Sequence, residues 1–448
     1  VYPITGLPFP DWERPEEAEE HAIAQYAAAQ LFVQSARRVQ PGFELDSGDL
    51  TILARICRLL DGMPLGVELA AAWVDVLSLP DILSEIQKSL DFLETEWRDV
   101  PERHRSVRAV FDASWGRLRE AERHAFMQLS VFRGGFTRVA GREVAGANVR
   151  TLAKLVNKSL LTFDKDQDRY AIHALLLQYG AERLARDPDA ETDAHDRHSA
   201  FYGAALARWE VDMKGARQYA AIAEIEADIE NVRSSWEWAS AKGEFDRIDA
   251  ALDGLAQFFY QRLRFQEGQA VCQLAENALT DGQSAFRAES RRVLARVLAW
   301  RSQFDRDLWQ QERAGSALQR SHELLRQAAT AGHDVRREQA FLLRMQGLHA
   351  FPDFERGREL LRQSLTAYQS LDDSWQVASA HLHLALADDL CGDPDAARPK
   401  YEESLTSFQA MGDQISAVIV LTAIAQSARR QGAYDVAERR YKESLALS

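Results

Sequence analysis

Among the residues that could do chemistry, His173 stands where one kind of sequence pattern changes into another. Residues 169–172 alternate as a β-strand does, and from Ala174 onwards the apolar residues recur with the spacing of a helix. A histidine at such a junction can leave the packed surface, and its N–H group can donate to an anion such as a phosphate. A single histidine at a strand end is also a common way of satisfying nearby backbone groups, so these residues alone leave both interpretations open.

A second candidate is Pro64, which follows Gly62-Met63 at a turn between two predicted helices. Proline suits the first turn of a helix, where the missing N–H costs nothing and the fixed φ is already helical. A Gly-x-Pro turn between two helices needs no ligand, so this position has no functional meaning by itself.

Three cations could contact DNA from one predicted helix: Arg150, Lys154 and Lys158, spaced four residues apart. Residues 101–187 carry sixteen Lys and Arg against ten Asp and Glu, so this part is basic within an acidic chain. The spacing could line up with phosphates or base edges. It is equally the pattern of the solvated face of an amphipathic helix, and nucleic acid is the less favoured partner.

A metal site is not expected. His195 and His198 lie near Asp193 and Asp196, but no second cluster of ligands accompanies them, and they suit the start of an ordinary helix.

The last third of the chain repeats with a period of forty residues, shown by Gly357, Ala397 and Ala437 and by Ser364, Ser404 and Ser444. Stacked helix pairs form a solenoid with a concave surface. Polar residues that the stacking does not need are candidates for an inducer-binding groove: His381, His383, Asp388, Gln426 and Arg430. Ordinary solvent exposure is the competing explanation for each of them.

Composition narrows the class of protein. The 448 residues carry a formal net charge of −14, which argues against nucleic acid as the main partner of the whole surface. Cys57, Cys272 and Cys391 are isolated, which predicts a reducing cytoplasm rather than a disulfide framework. The sequence has no run of membrane-spanning length and no signal peptide, so no membrane partner is expected.

The elements that must position these residues are mainly α-helices. A helix is predicted from Pro15 to Val39, another from Ser47 as its N-cap, and a third over 65–76. Residues 134–137 predict a turn, with Thr137 capping the next helix. Two β-like runs, 160–163 and 169–172, predict a two-stranded wing.

Five regions follow from these patterns. They are a linker from a domain missing from this sequence (1–14), a helical subdomain (15–100), a winged helix (101–187), a helical connector (188–300) and a repeat array (301–448), with further repeats expected beyond Ser448.

The motifs Gly62-Met63-Pro64-Leu65-Gly66, residues 129–136 and residues 155–161 resemble those of the STAND class of signalling ATPases, also called NB-ARC or AP-ATPases, and the bacterial MalT-like and AfsR-like regulators. The resemblance covers residues 1–185, and the repeats resemble tetratricopeptide repeats. The resemblance to STAND proteins implies that Pro64 packs against a bound nucleotide and that His173 reaches the β-phosphate of ADP. Met63 and Gly66 depart from the family's Gly-Leu-Pro-Leu-Ala. Ile172 and Ala174 replace the Met and Asp of plant members, which puts any auxiliary acidic contact in doubt.

No Gly-x-x-x-x-Gly-Lys-Ser/Thr phosphate loop occurs in the sequence, so the chain should neither bind ATP tightly nor hydrolyse it. The resemblance implies that ATP or ADP and Mg²⁺ belong to a nucleotide domain of the parent protein. The repeat arm would recognise an inducer, which could be a protein, a peptide or a small molecule. Before the inducer binds, the helical subdomain and winged helix would hold the nucleotide domain inactive. Release of the nucleotide domain would then allow oligomerisation. The alternatives are a DNA-binding transcriptional regulator and a scaffold whose repeats bind a protein partner.

Overall fold

The computed structural model describes residues 6–10, 23, 25–93, 106–280, 288–351 and 353–447. The chain divides into two compact units, Val1–His198 and Ser199–Ser448. The predicted fold class is confirmed, since the described residues are mainly α-helical with one small antiparallel sheet among them. Within these ranges no helix is both long and apolar enough to cross a membrane.

The first unit opens with a helical block. Its helices are α1 Ala27–Val39, α2 Ser47–Leu59, α3 Pro64–Ala71 and α4 Leu79–Lys88, followed by a 3-10 turn, Leu90–Phe92. The predicted start of α1 at Pro15, and most of the predicted linker, lie outside the described residues. Helix α3 is shorter than predicted. After Ala71 the chain continues in turns. Trp73 in these turns stacks on Phe92 with ring centroids 4.8 Å apart, and its indole N–H donates to the Phe92 carbonyl at 3.0 Å.

The N-cap of α2 is Asp46, and the prediction of Ser47 was wrong by one residue. The Asp46 carboxylate accepts from the backbone N–H of Asp49 at 2.8 Å, and the Asp49 carboxylate accepts from the N–H of Asp46 at 3.2 Å. This reciprocal capping box satisfies two donors that a helix leaves unpaired at its start, whereas a single serine satisfies one.

The helical block is followed in the first unit by a helix–sheet module, residues 106–187. Its elements are α5 Val107–Gly116, α6 Glu120–Leu129, β1 Phe136–Thr137, α7 Arg138–Ala145, α8 Val149–Asn157, β2 Thr162–Asp164, β3 Arg169–Ala171 and α9 Ala174–Leu184. As predicted, Thr137 caps α7, and its hydroxyl accepts from the N–H of Ala140 at 3.2 Å.

The sheet has three strands, in the order β1-β3-β2, and the prediction of two strands missed β1. Phe136 pairs with Tyr170, and their rings stack with centroids 5.8 Å apart. Gly135 makes this pairing possible, because its φ is +92° and a Cβ there would lie 2.8 Å from the Tyr170 carbonyl oxygen. The residues predicted as a turn therefore enter the sheet through a backbone approach that only glycine permits.

The second unit is helical wherever it is described. The remaining helices, of which α10 contains the boundary between the units, are α10 Pro188–Met213, α11 Gln218–Ala227, α12 Ile229–Lys242, α13 Phe245–Gln261, α14 Phe265–Thr280, α15 Ala288–Asp307, α16 Gln311–Thr330, α17 Arg336–His349, α18 Phe354–Ser370, α19 Ser374–Leu390, α20 Pro394–Met411, α21 Gln414–Arg430 and α22 Tyr434–Leu447. The predicted boundary at residue 300 falls inside α15.

The forty-residue repeat corresponds to a repeated contact between paired helices. The hydroxyls of Ser321, Ser364 and Ser404 each donate to a backbone carbonyl of the preceding helix at 2.8 Å. All three serines are fully buried. A small side chain at this position lets the two helices approach closely, and its hydroxyl finds an acceptor on the neighbouring backbone. Ser364 and Ser404 are 40 residues apart and Ser321 and Ser364 are 43 apart, so the period seen in the sequence follows the period of helix pairing, with a short insertion before the regular repeats.

Candidate functional site

The α2–α3 turn, residues 60–64, is shaped by two successive left-handed residues, Asp61 with φ +48° and Gly62 with φ +60°. A Cβ at Gly62 would overlap the carbonyl oxygen of Leu7, so the turn depends on glycine. Pro64 then occupies the first turn of α3, as predicted from its fixed φ.

Two segments that are distant in sequence bind this turn. The backbone N–H of Leu7 donates to the carbonyl of Gly62 at 2.8 Å. From the helix–sheet module, Nε2 of His173 lies 3.2 Å from the carbonyl oxygen of Leu60. The structure therefore brings His173 to the turn that carries Pro64, although 108 residues separate the two in the sequence.

His173 is also the N-cap of α9, since its Nδ1 accepts from the backbone N–H of Leu175 at 3.1 Å. Because Nδ1 accepts, we assign the ring proton to Nε2, which donates to Leu60. Burial lowers the pKa of His173, and the Asp61 carboxylate, 3.8 Å from Nε2, acts in the opposite direction. The side chain is 16% exposed. A neutral imidazole thus connects α9 to the α2–α3 turn.

A phosphate of bound ADP would need a free N–H donor from His173. Both ring nitrogens of His173 are engaged within the chain, so no ring N–H remains for a phosphate. The sequence supplies no phosphate loop. The roles implied for Pro64 and His173 towards ADP, and the expectation that this chain alone binds no nucleotide tightly, stay predictions.

Two of the three predicted DNA-contacting cations pair within the module. Nζ of Lys158 lies 2.6 Å, and Nζ of Lys154 3.6 Å, from the carboxylate of Glu122 on α6. The Glu122 side chain is 5% exposed, and the Lys158 hydrogen bond together with the backbone N–H of Arg119 lowers its pKa to about 2. Arg150 is exposed. The lysines thus support the packing of α8 on α6, and DNA binding stays an untested prediction.

Two of the residues considered as metal ligands on α10 have partners of their own. His198 is buried, and its ring meets the edge of Phe132 with centroids 5.3 Å apart. Asp193 accepts from Arg197 at 2.5 Å. The part of the chain that the structure describes contains no group of three or more His, Cys, Asp or Glu placed to hold a metal ion.

Most of the predicted groove residues have partners within the chain, and inducer binding by them stays a prediction. Asp388 is 3% exposed, and its carboxylate binds Lys400 at 2.8 Å and Arg358 at 3.4 Å, so it serves the packing between helices. Arg430 likewise pairs with the buried Asp389. Gln426 is exposed.

The two predicted groove histidines point to different neighbours. His381 lies 2.9 Å from the carboxylate of Glu403. Burial, together with the nearby guanidinium groups of Arg344 and Arg306, lowers the pKa of His383 to about 3.

Two residues that line a narrow cleft of the second unit, Arg344 and Tyr368, were not predicted as site residues from the sequence. A usable signal was present for Arg344, because it interrupts the apolar run Phe341-Leu342-Leu343 before Met345. A charged residue in such a run is either paired inside the protein or faces a binding surface.

No family model matches the chain. Proteins of Mycobacterium tuberculosis and Mycobacterium bovis, provisionally named as HTH-type transcriptional regulators, are 28% identical over 387 residues, which is 84% of this chain and 43% of theirs. An uncharacterised protein of Mycobacterium tuberculosis is 31% identical over 175 residues, or 37% of this chain and 44% of its own. The chain therefore spans less than half the length of these curated relatives.

Among solved structures, the chain is similar to a STAND protein with a tetratricopeptide repeat sensor from Pyrococcus horikoshii. The sequence identity is 15%, the TM-score is 0.45, and the match covers 94% of this chain and 59% of that one. At this level the similarity assigns no family. The chain is similar in sequence to mycobacterial proteins named as regulators, and these comparisons do not assign it to a family.

Proposed function

We propose that the chain is the regulatory and sensor portion of a bacterial STAND signal-transduction ATPase. The helix pairs of the second unit recognise an inducer, and the helical block and helix–sheet module restrain a nucleotide domain that the parent protein carries in cis. The sequence similarity to mycobacterial proteins named as regulators supports a regulatory role. The relatives are more than twice the length of the matched region, which is consistent with a larger parent protein.

The observation that carries this proposal is the contact of His173 with the Leu60 carbonyl. It joins the helical block to the helix–sheet module through one neutral side chain, at the turn that Pro64 follows. One hydrogen bond contributes about 0.5–1.5 kcal/mol, an amount that a domain rearrangement can gain or lose. The His173 side chain therefore acts as a latch that favours one arrangement of the first unit.

The test is His173→Ala in the parent protein, with ATP hydrolysis measured in the absence of inducer. His173→Ala also removes the cap of α9, but that bond lies within the helix–sheet module. Loss of the one bond to Leu60, which joins the module to the helical block, shifts a two-state equilibrium by roughly 2- to 10-fold, and we expect basal hydrolysis to rise by that factor. His322→Ala on α16 is the matched control. It makes the same substitution at an exposed histidine that lies away from the latch. Equal basal rates in the two variants would rule out the latch.

The leading alternative is a DNA-binding transcriptional regulator, which the name of the relatives favours. Because this chain covers 43% of those relatives, the HTH part of their name is not tied to the residues matched here. The pairing of Lys154 and Lys158 with Glu122 reduces the charge available for phosphates. A scaffold whose repeats bind a protein partner, without any link to nucleotide, is the third candidate.

A further inference from the structure

The turn between α10 and α11 lies against helices of the repeat array. Residues 210–218, which we call the strap, comprise the end of α10, the turn that follows it and the first residue of α11. Glu210 and Lys214 of the strap line a narrow cleft together with residues of α13, α15, α17, α18 and α19. The first helices of successive pairs (α13, α15, α17 and α19) share this face. We call this face, together with residues 411–415 between α20 and α21, the repeat groove.

One buried side chain holds the strap to residues 411–415. Gln218 is fully buried, and its Oε1 accepts from the backbone N–H of Ile415 at 3.0 Å. Its Nε2 donates to the carbonyl oxygen of Gly412 at 3.4 Å. A side-chain amide thus binds one backbone donor and one backbone acceptor, which lie 197 and 194 positions away in the sequence.

The main chains of the strap and of residues 411–415 also approach each other closely. Gly412 has a φ of +76°, and a Cβ there would lie 3.0 Å from the Cβ of Ala216. A Cβ at Gly215 would lie 3.4 Å from the carbonyl oxygen of Met411. Glycine at position 412 therefore lets the strap pass against the backbone of the groove.

A third contact places a cation of the strap over an aromatic ring. Nζ of Lys214 lies 5.2 Å from the centroid of the Trp375 ring, and it pairs with Glu210 at 2.5 Å. The Trp375 indole N–H donates to the buried carboxylate of Asp413 at 2.8 Å, which fixes the ring. The groove therefore offers an aromatic face to a lysine and backbone groups to the amide of Gln218, four residues later in the strap.

The strap is held mainly by polar contacts that another polypeptide could replace. Met213 and Gln218 are its buried residues, whereas Val211 is 70% exposed. Exchanging hydrogen bonds of the strap for those of another chain changes the free energy little, because the same backbone groups stay satisfied. Ile419, one turn beyond Ile415 on α21, is 50% exposed and gives an entering segment an apolar contact beside the strap.

We propose that the strap is an internal ligand of the repeat groove, and that the inducer is a polypeptide segment that displaces it. The partner carries a lysine and, four residues later, a glutamine, which are the two side chains that hold the strap. This rests on the proposed sensor role and deepens it, because it names the chemical class of the inducer. Since α10 contains the boundary between the two units, a partner that replaces its last residues acts on a helix that begins in the first unit.

The test measures binding of a fluorescently labelled peptide of residues 206–222, which contains the strap, to the 448-residue chain by fluorescence anisotropy. The attached strap competes at an effective concentration of about 1 mM, so the unmodified chain should bind the peptide weakly. Gln218→Ala weakens the strap and leaves the groove unchanged. This variant should bind the peptide with a dissociation constant of about 1 mM or tighter, and about 5- to 100-fold more tightly than the unmodified chain does. Gln363→Ala, at an exposed glutamine on α18, is the matched control and should bind as the unmodified chain does.

Variants of the peptide locate the binding without any change to the fold of the chain. Against the Gln218→Ala chain, the peptide with Gln218→Ala should bind about 5- to 100-fold more weakly, and the peptide with Lys214→Ala about 2- to 10-fold more weakly. Equal binding of the three peptides would remove the site from the repeat groove. Equal binding of the unmodified peptide to the unmodified and Gln218→Ala chains, or no binding to either at about 1 mM, would overturn the proposal and leave the strap as a fixed structural contact.

If the Gln218→Ala chain fails to fold, Lys214→Ala in the chain takes its place, with an expected gain in peptide affinity of about 2- to 10-fold. A parent protein whose ATP hydrolysis responds to an inducer that does not compete with the peptide would refute the strap and keep the sensor role. Peptide binding in the groove of a parent whose ATP hydrolysis no ligand changes would refute the sensor role and keep the strap.

Discussion

The pairing of Glu122 with Lys158 and Lys154 predicts a pH-dependent contribution to stability that can be measured directly. The pKa of Glu122 falls from its ordinary value of 4.5 to about 2, mainly through the Lys158 hydrogen bond. A shift of that size corresponds to at most about 3 kcal/mol. The Lys158 and Lys154 side chains are 35% and 49% exposed, and solvent screening reduces the figure to about 1–2 kcal/mol at pH 7.

The sign follows from the protonation states. A carboxylate with a lowered folded-state pKa adds stability above its unfolded pKa, and this stability is lost as the pH falls towards the folded value. Glu122→Gln should therefore lower the free energy of unfolding by about 1–2 kcal/mol at pH 7, and by about half as much at pH 3. Urea denaturation of both proteins across this range measures the difference.

Glu323→Gln is the matched control. Arg326 lowers the pKa of Glu323 to about 2 as well, but both side chains are exposed, and we expect no measurable loss of stability. A Glu122→Gln deficit that stays constant between pH 7 and pH 3 would refute the electrostatic explanation. So would a Glu323→Gln deficit of the same size.

The remaining predictions concern the sheet and the DNA alternative. Gly135→Ala should lower the free energy of unfolding by about 1–3 kcal/mol in thermal denaturation, because φ is +92° and the added Cβ would meet the Tyr170 carbonyl. Gly42→Ala, which has open space around it, is the control, and equal losses would argue against strain at β1. Duplex DNA should bind weakly, with a steep fall in affinity as salt rises, and selection from a random library should return no enriched motif. One enriched motif, lost in the Arg150→Ala/Lys154→Ala double variant, would instead establish the transcription-factor alternative.

The sequence predicted features that depend on neighbours along the chain. Helical periodicity, the Pro64 helix start and the Thr137 cap are determined within a few residues, and all three agree with the structure. The forty-residue period could also be read directly, because each repeat places the same serine against its partner helix. In these cases the residues that form the sequence pattern are the same residues that make the local contact, so the pattern predicts the structure.

Contacts between distant residues could not be predicted in this way. The β1 strand forms because Phe136 meets Tyr170, and Asp388 is buried because Arg358 and Lys400 come from neighbouring helices. The motif resemblance named Pro64 and His173, but only the tertiary structure gives His173 the Leu60 carbonyl as its partner.

Arg344 shows the same limit most clearly. The sequence reveals a charged residue within an apolar run, whereas the absence of a described carboxylate partner is a property of the helices packed around it. Sequence patterns determine which face of a helix is apolar. Packing alone determines which buried charges are paired, because pairing depends on side chains that other helices bring within a few ångströms.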